Sequence, residues 1–246
     1  MELNQTALVT GASRGIGRAT AELLARNGFN VVAHYHNNKE AAEELVRSLK
    51  AQGYAALAVG ADLRSEADII EMVNAAMGYF GKIDVLVNNA GIAAQKLLTD
   101  MTVQEWDEMF AVHVRGNFLC SRAVLPDMIA RKKGKIVNLS SIWGVQGASC
   151  EVHYSAAKAA VIGMTKALAK EVAPSGIRVN CVAPGVIDTD MIAQFDEETR
   201  ARLAEETPLG RLGTPEDVAR AILFFASSQS DFMTGQVLLA DGGFAG

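Results

Sequence analysis

Along most of this chain, short continuous apolar runs alternate with longer amphipathic stretches. The first run is Thr6-Ala7-Leu8-Val9-Thr10. It is too short for a helix and glycines follow at once, so the pattern predicts a buried strand. Comparable runs recur over 30–36, 54–59, 83–87, 135–139, 177–182 and 236–240. Helical patterns lie between them, at about 18–27 (stopped by Gly28), at 40–52, and from Ser65 to near Gly81. Thr102-Val103-Gln104-Glu105 forms a capping box, opening a helix to about Lys132 that is long enough to predict a bend or an interface. Another long helix opens around Tyr154 and is rich in small residues. A polar helical segment covers 190–206, and Thr214-Pro215-Glu216-Asp217 starts the last helix. This end-to-end alternation predicts the α/β class: a doubly wound parallel sheet of about seven strands with helices on both faces. No linker, repeat or low-complexity segment interrupts it, so residues 1–246 read as a single domain.

Composition narrows the function. The 246 residues are 50% hydrophobic and carry a formal net charge of −5, which argues against nucleic acid as a main partner. No apolar run reaches about 18 residues and the N-terminus lacks a signal-peptide pattern, so a cytoplasmic protein without a membrane span is expected. Cys120, Cys150 and Cys181 are odd in number and widely spaced. That pattern predicts reduced thiols, not a disulfide framework or a zinc site.

The first run leads into Gly11-Ala12-Ser13-Arg14-Gly15-Ile16-Gly17 and then a helix. Strand, glycine turn and helix is the context a dinucleotide phosphate site needs. Gly11 permits the tight turn, Gly15 lets the backbone approach a pyrophosphate, and Gly17 lets the helix pack close. The helix N-terminus adds free N–H groups. The second strand ends His34-Tyr35-His36-Asn37-Asn38, with no acid to take the 2′-hydroxyl of NAD. Arg14 is free to meet a 2′-phosphate instead. His34 and His36 have no third metal ligand at a recognisable spacing, so no metal site is expected. Asp62-Leu63 and Asn88-Asn89-Ala90-Gly91 follow the third and fourth strands, and Ser140-Ser141 follows the fifth. Asp62 is placed either to accept from an adenine amine or to cap its loop. Tyr154 and Lys158 lie four apart, on one helix face. A nearby ammonium favours the phenolate and so tunes a phenol for acid–base work. Taken alone, the pair would read as two ordinary surface residues.

Together these motifs resemble the short-chain dehydrogenase/reductase family over nearly the whole chain, with Asn180 and Pro184-Gly185 adding to the match. Within it the chain is most similar to the 3-oxoacyl-[acyl-carrier-protein] reductases of fatty acid synthesis. The segment Pro208-Leu209-Gly210-Arg211-Leu212-Gly213-Thr214-Pro215-Glu216-Asp217 and the ending through Asp241-Gly242-Gly243 carry that likeness. The resemblance implies a Rossmann-type fold and NADP(H). It implies hydride transfer to a ketone carbon, with Tyr154 as proton donor, Ser141 on the carbonyl oxygen, and Lys158 on the nicotinamide ribose, lowering the phenol's pKa. Implied cofactor contacts are Gly11, Ser13, Arg14, Gly15, Ile16, Gly17, His36, Asn37, Asp62, Leu63, Asn89, Ala90, Gly91, Tyr154, Lys158, Pro184 and Gly185. Ile187 and Thr189 are expected to hold the carboxamide. A homotetramer is the usual assembly of such proteins.

Two departures stand out. The family's usual asparagine in the long helix, a member of the catalytic tetrad, is here His113. In the family that asparagine supports a local irregularity of the helix. His113 is then a support of the same kind, a direct proton relay, or a packed core residue. The carrier-protein enzymes also place arginines near the site mouth. Arg131-Lys132-Lys133 is either such a patch or a solvated loop, and position 175 is a serine. The competing readings are a sibling enzyme acting on another carbonyl or alcohol (acetoacetyl-CoA, a sugar, a steroid or a xenobiotic ketone) and a non-catalytic NADP-binding protein.

Overall fold

The computed structural model describes residues 5–192 and 195–245. Seven strands form one parallel sheet: β1 (Thr6–Val9), β2 (Asn30–Tyr35), β3 (Ala56–Gly60), β4 (Val85–Asn88), β5 (Gly134–Leu139), β6 (Ile177–Pro184) and β7 (Val237–Ala240), in the order β3-β2-β1-β4-β5-β6-β7. The expected doubly wound sheet is therefore present. Successive strand residues point to opposite faces, and the core divides accordingly. Ala7, Val9, Val31, Val85, Val87, Val137 and Val182 join one apolar cluster with Leu24, Leu45 and Phe225. Leu8, Val32, Leu86, Ile136 and Val179 join the other, with Met72, Leu119 and Val124. Burial on both faces is why these strands read as continuous apolar runs.

The first face is covered by α1 (Gly15–Arg26) and α2 (Lys39–Ala51), and the second by α3 (Glu66–Phe80). The long helix predicted after Thr102 is three pieces: α4 (Val103–Phe110), a π-helical turn (Ala111–Arg115) and α5 (Gly116–Arg131). The predicted bend is thus a change of helix type, in which the Gly116 N–H donates to the Ala111 carbonyl five residues back. A short helix α6 (Trp143–Gln146) precedes α7 (Val152–Val172), which carries Tyr154 and Lys158. The polar segment at 190–206 begins as a 3-10 turn, Asp190–Ile192, and continues as α8 (Glu197–Glu206); residues 193 and 194 lie outside the described residues. Finally, α9 (Pro215–Ala226) starts with a capping box between Thr214 and Asp217.

The strand order reverses between β1 and β4, which opens a crevice at the carboxyl ends of the strands. The Arg131 run sits at the other end of the sheet. Arg131 donates to the Asp84 carboxylate (3.0 Å), to the Ile83 carbonyl (2.8 Å) and to Asp127 (2.8 Å). Asp84 is buried and also accepts the Thr6 N–H at 2.9 Å. Within one chain Arg131 is a structural tie at the base of β4 and β5, and does not flank the crevice. Arg131→Met keeps the aliphatic bulk but leaves Lys82, at 3.2 Å, as the cation on Asp84. It is expected to cost about 1–3 kcal/mol in urea unfolding, the scale of losing hydrogen bonds to a buried charged group. Cofactor affinity should be unaffected.

Candidate active site

A cleft of about 1320 Å³ runs along the carboxyl ends of the strands, and every implied catalytic and cofactor position lines it, while Arg131-Lys132-Lys133 and Asn180 do not. Its phosphate end is built by close backbone approach. Gly11 has φ +66°, and a Cβ there would lie 2.9 Å from the Ala90 Cα. A Cβ on Gly17 would stand 2.1 Å from the Gly11 carbonyl oxygen, so the first turn of α1 seats directly on the loop. Helix α1 begins at Gly15, three residues earlier than its sequence pattern suggests, and no side chain caps it. Its first N–H groups are left for another acceptor, and the dipole favours an anion there.

Asn89 holds this turn. Its Nδ2 donates to the Thr10 carbonyl (2.8 Å) and the Gly11 carbonyl (3.2 Å), while the Thr10 hydroxyl accepts the N–H groups of Asn89 (2.9 Å) and Ala90 (3.0 Å). The expected space for a ribose lies beyond β2, where His36 and Asn37 line the cleft with Arg14. Arg14 stands 3.7 Å from Asp190, with both side chains well exposed, a contact too weak to fix it.

The adenine side contains a residue that sequence reasoning missed. The Arg64 guanidinium grips both Asp62 oxygens at 2.8–3.0 Å and donates to Glu108 at 2.9 Å. Beside that guanidinium the Asp62 carboxyl is held down to about 2. Asp62 is thus already a loop tie, with fewer lone pairs left for an adenine amine. Trp143 and three α8 residues, Thr199, Arg202 and Leu203, also line the cleft. None belongs to a short motif, so only the fold reveals them.

At the other end, Ser141, Tyr154 and Lys158 converge, all buried. The Ser141 oxygen accepts the Trp143 N–H at 3.2 Å, and its hydroxyl stands beside the Tyr154 phenol. The Lys158 ammonium donates to the Leu139 carbonyl at 2.9 Å and lies 5.5 Å from the Tyr154 ring centre. Burial pushes the phenol up to about 12; the neighbouring Ser141 hydroxyl opposes the rise and the Glu151 carboxylate adds to it. The expected lowering by Lys158 is therefore absent in the chain by itself. The ammonium faces a backbone carbonyl, and burial outweighs it. Burial also brings Lys158 itself down to about 8.

His113 lies at the centre of the π turn, its ring edge-on to Tyr154 with centroids 5.5 Å apart. Its Nε2 is 2.8 Å from the Ile92 carbonyl and 3.1 Å from the Ile92 N–H. A Cβ on Gly91 would meet the ring at 2.4 Å, so the glycine makes room for it. Burial, with the Lys158 charge adding to it, sets the imidazole's pKa well below its ordinary value, and the ring is neutral. Asn180 takes a structural place: it donates to the Met233 carbonyl (2.9 Å) and accepts the Gln236 N–H (3.0 Å), tying β6 to the approach of β7. Among the described residues no cluster of three or more His, Cys, Asp or Glu is placed to hold a metal ion, and no helix is long and apolar enough to cross a membrane.

Comparison with known proteins agrees with this geometry. A family model described as Enoyl-(Acyl carrier protein) reductase, of the short-chain dehydrogenase type, matches residues 11–245. The chain is 42% identical over 241 residues to the 3-oxoacyl-[acyl-carrier-protein] reductase FabG of Staphylococcus epidermidis, covering 98% of this chain and 99% of the relative. It is 43% identical over 240 residues to a 3-oxoacyl-[acyl-carrier-protein] reductase of Synechocystis sp., covering 97% and 96%. It is 43% identical over 243 residues to the uncharacterized oxidoreductase YmfI of Bacillus subtilis, covering 98% and 99%. The chain belongs to the short-chain dehydrogenase/reductase family, oxidoreductases that use a nicotinamide cofactor on carbonyl and hydroxyl groups.

Proposed function

We propose that the protein is a cytoplasmic, single-domain reductase that uses NADPH to convert 3-oxoacyl-[acyl-carrier-protein] to the 3-hydroxyacyl thioester in fatty acid synthesis. The carrying observation is the convergence of Ser141, Tyr154 and Lys158 in the same cleft as an uncapped, glycine-seated helix N-terminus. The substrate follows from the full-length likeness to two reductases bearing that name. The backbone cradle fits a pyrophosphate: its donors are N–H groups, and side chains at Gly11 or Gly17 would fill it.

The bound cofactor supplies the hydride. The protein's part is to receive the growing charge and deliver a proton. Ser141 Oγ accepts from Trp143, leaving its O–H to donate to the substrate carbonyl oxygen. A phenol held near 12 stays protonated at neutral pH, as a donor to a developing alkoxide must be. Of the three Lys158 donors one is spent on Leu139, and two remain for ribose hydroxyls. The π turn at Ala111–Arg115 fits the support role for His113, whose ring ties the turn to Ile92 and buttresses Tyr154. A homotetramer fits the apolar side chains left exposed on α4 and α5 (Val103, Phe118, Ile129) and on edge strand β7 (Leu238, Leu239).

Three measurements test the reading. With acetoacetyl-thioester substrates, kcat/KM with NADPH should exceed that with NADH by about tenfold or more, the scale of one charge-assisted contact. Asn37→Asp should erode that preference by repelling a 2′-phosphate, and equal values in the wild type would sink the NADPH assignment. Tyr154→Phe should lower kcat by roughly 10² or more with little change in NADPH affinity. In the wild type, reduction should slow as pH rises through about 8, where the Lys158 ammonium is lost. His113→Asn should leave kcat and this profile nearly unchanged, because the neutral ring contributes no ionisation in the working range. Disappearance of an ionisation in His113→Asn, with a large fall in rate, would instead make the imidazole the relay.

A further inference from the structure

His34 lies on β2, buried and outside the catalytic group. Its two ring nitrogens face two different loops. The Gly11 N–H donates to Nδ1 at 3.0 Å, and Nε2 lies 3.1 Å from the Ala61 carbonyl. A backbone N–H can only donate and a carbonyl can only accept, so the two partners fix the tautomer: Nδ1 bare, Nε2 protonated. The His34 carbonyl also accepts the Ala12 N–H at 2.8 Å. One residue thereby holds two successive peptides of the glycine turn. The main chain also reaches the second loop, where the Ala61 N–H donates to the Tyr35 carbonyl at 3.0 Å. Main-chain bonds tie each loop to β2 separately; the ring alone bonds to both loops at once. Gly11 opens the turn expected to take the pyrophosphate, and Ala61 precedes Asp62 on the adenine side.

We propose that His34 is a positioning residue for the dinucleotide, its neutral ring clasping the pyrophosphate turn to the adenine-side loop and setting the distance between the two subsites. The inference rests on the reading of this cleft as an NADPH site. Burial brings the imidazole down to about 4, the neighbouring His36 lowering it further while the Ala61 carbonyl and the Asp62 carboxylate oppose the fall. The clasp is thus intact throughout the working pH range. A second proton, on Nδ1, would face the Gly11 N–H donor to donor and open it.

The test separates positioning from bulk stability. His34→Leu fills the space and makes neither bond; His34→Asn places an acceptor near the Nδ1 position. NADPH dissociation constants are measured by fluorescence titration, with kcat at saturating NADPH and thermal midpoints recorded beside them. His34→Leu should raise the NADPH Kd by about tenfold or more, the scale of leaving a buried donor without its acceptor, with kcat within about twofold of wild type. His34→Asn should recover most of the affinity. A folded His34→Leu with wild-type Kd overturns the proposal, as does a loss confined to kcat or to the thermal midpoint. If His34→Leu does not fold, the decision falls to the His34→Asn Kd and to nitrogen-15 NMR of the wild-type ring. The ring should show the Nε2–H tautomer, neutral at pH 7; the Nδ1–H tautomer or a charged ring overturns the clasp. A wild type with no affinity for NADPH overturns the cofactor reading and this inference with it.

Discussion

One constraint governs this molecule: the backbone at Gly11 and the first turn of α1 touch with nothing between them. The Gly11 carbonyl lies where any side chain on Gly17 would have to be. That contact fixes where α1 starts and how it sits on the sheet, and leaves its N–H groups bare at the mouth of the crevice. Asn89 and Thr10 are then recruited to hold the loop, which draws the end of β4 into the same unit. Because β4 neighbours β5, the loop carrying Ser141 is placed by the same sheet that places the phosphate turn. The two ends of the cleft are parts of one rigid arrangement, not separate sites brought together.

Burial sets the chemistry at the other end. The low-dielectric surroundings disfavour charge on both Tyr154 and Lys158, so they shift in opposite directions, the phenol upward and the ammonium downward. The result is a phenol that keeps its proton until a stronger base, the alkoxide, forms beside it. The same arrangement keeps the phenolate form scarce at neutral pH. Keeping a lysine charged in such a place works against folding below its unfolded-state pKa, a local sacrifice of stability of the kind expected where function requires it.

Much of the fold was legible because parallel strands buried on both faces leave an unmistakable run of apolar residues, and because glycine marks the places where backbone must approach backbone. Thr102 announced its helix through a capping box and Thr214-Pro215-Glu216-Asp217 through its helix-start pattern, and a capping box forms at each. The start of α1 was not legible: glycine is a poor helix former, and its presence at positions 15 and 17 answers to packing, not propensity. The π turn was hidden for a different reason. Ala111-Val112-His113-Val114-Arg115 contains no glycine or proline, and only the ring of His113 seated against Ile92 gives it a visible cause. Arg64 and His34 stood next to recognised motifs, yet their roles depend on which loops the sheet brings alongside them. The sequence offered no partner for His34 beyond a metal site it had no third ligand to complete, whereas the structure turns its ring inward to Gly11 and Ala61.

The π turn also acts on the geometry of the screw. Each residue of an α-helix advances the side-chain direction by roughly 100°, so one extra residue in a turn rotates everything downstream by about that angle. Helix α4 can therefore face α7 while α5 faces α3 and the sheet. A single uninterrupted helix from Val103 to Arg131 would have to choose one of those partners and present the wrong side to the other. The inserted residue is a phase shifter: it lets one run of helical turns serve two differently oriented walls, and it sets the point of crossover beside Tyr154.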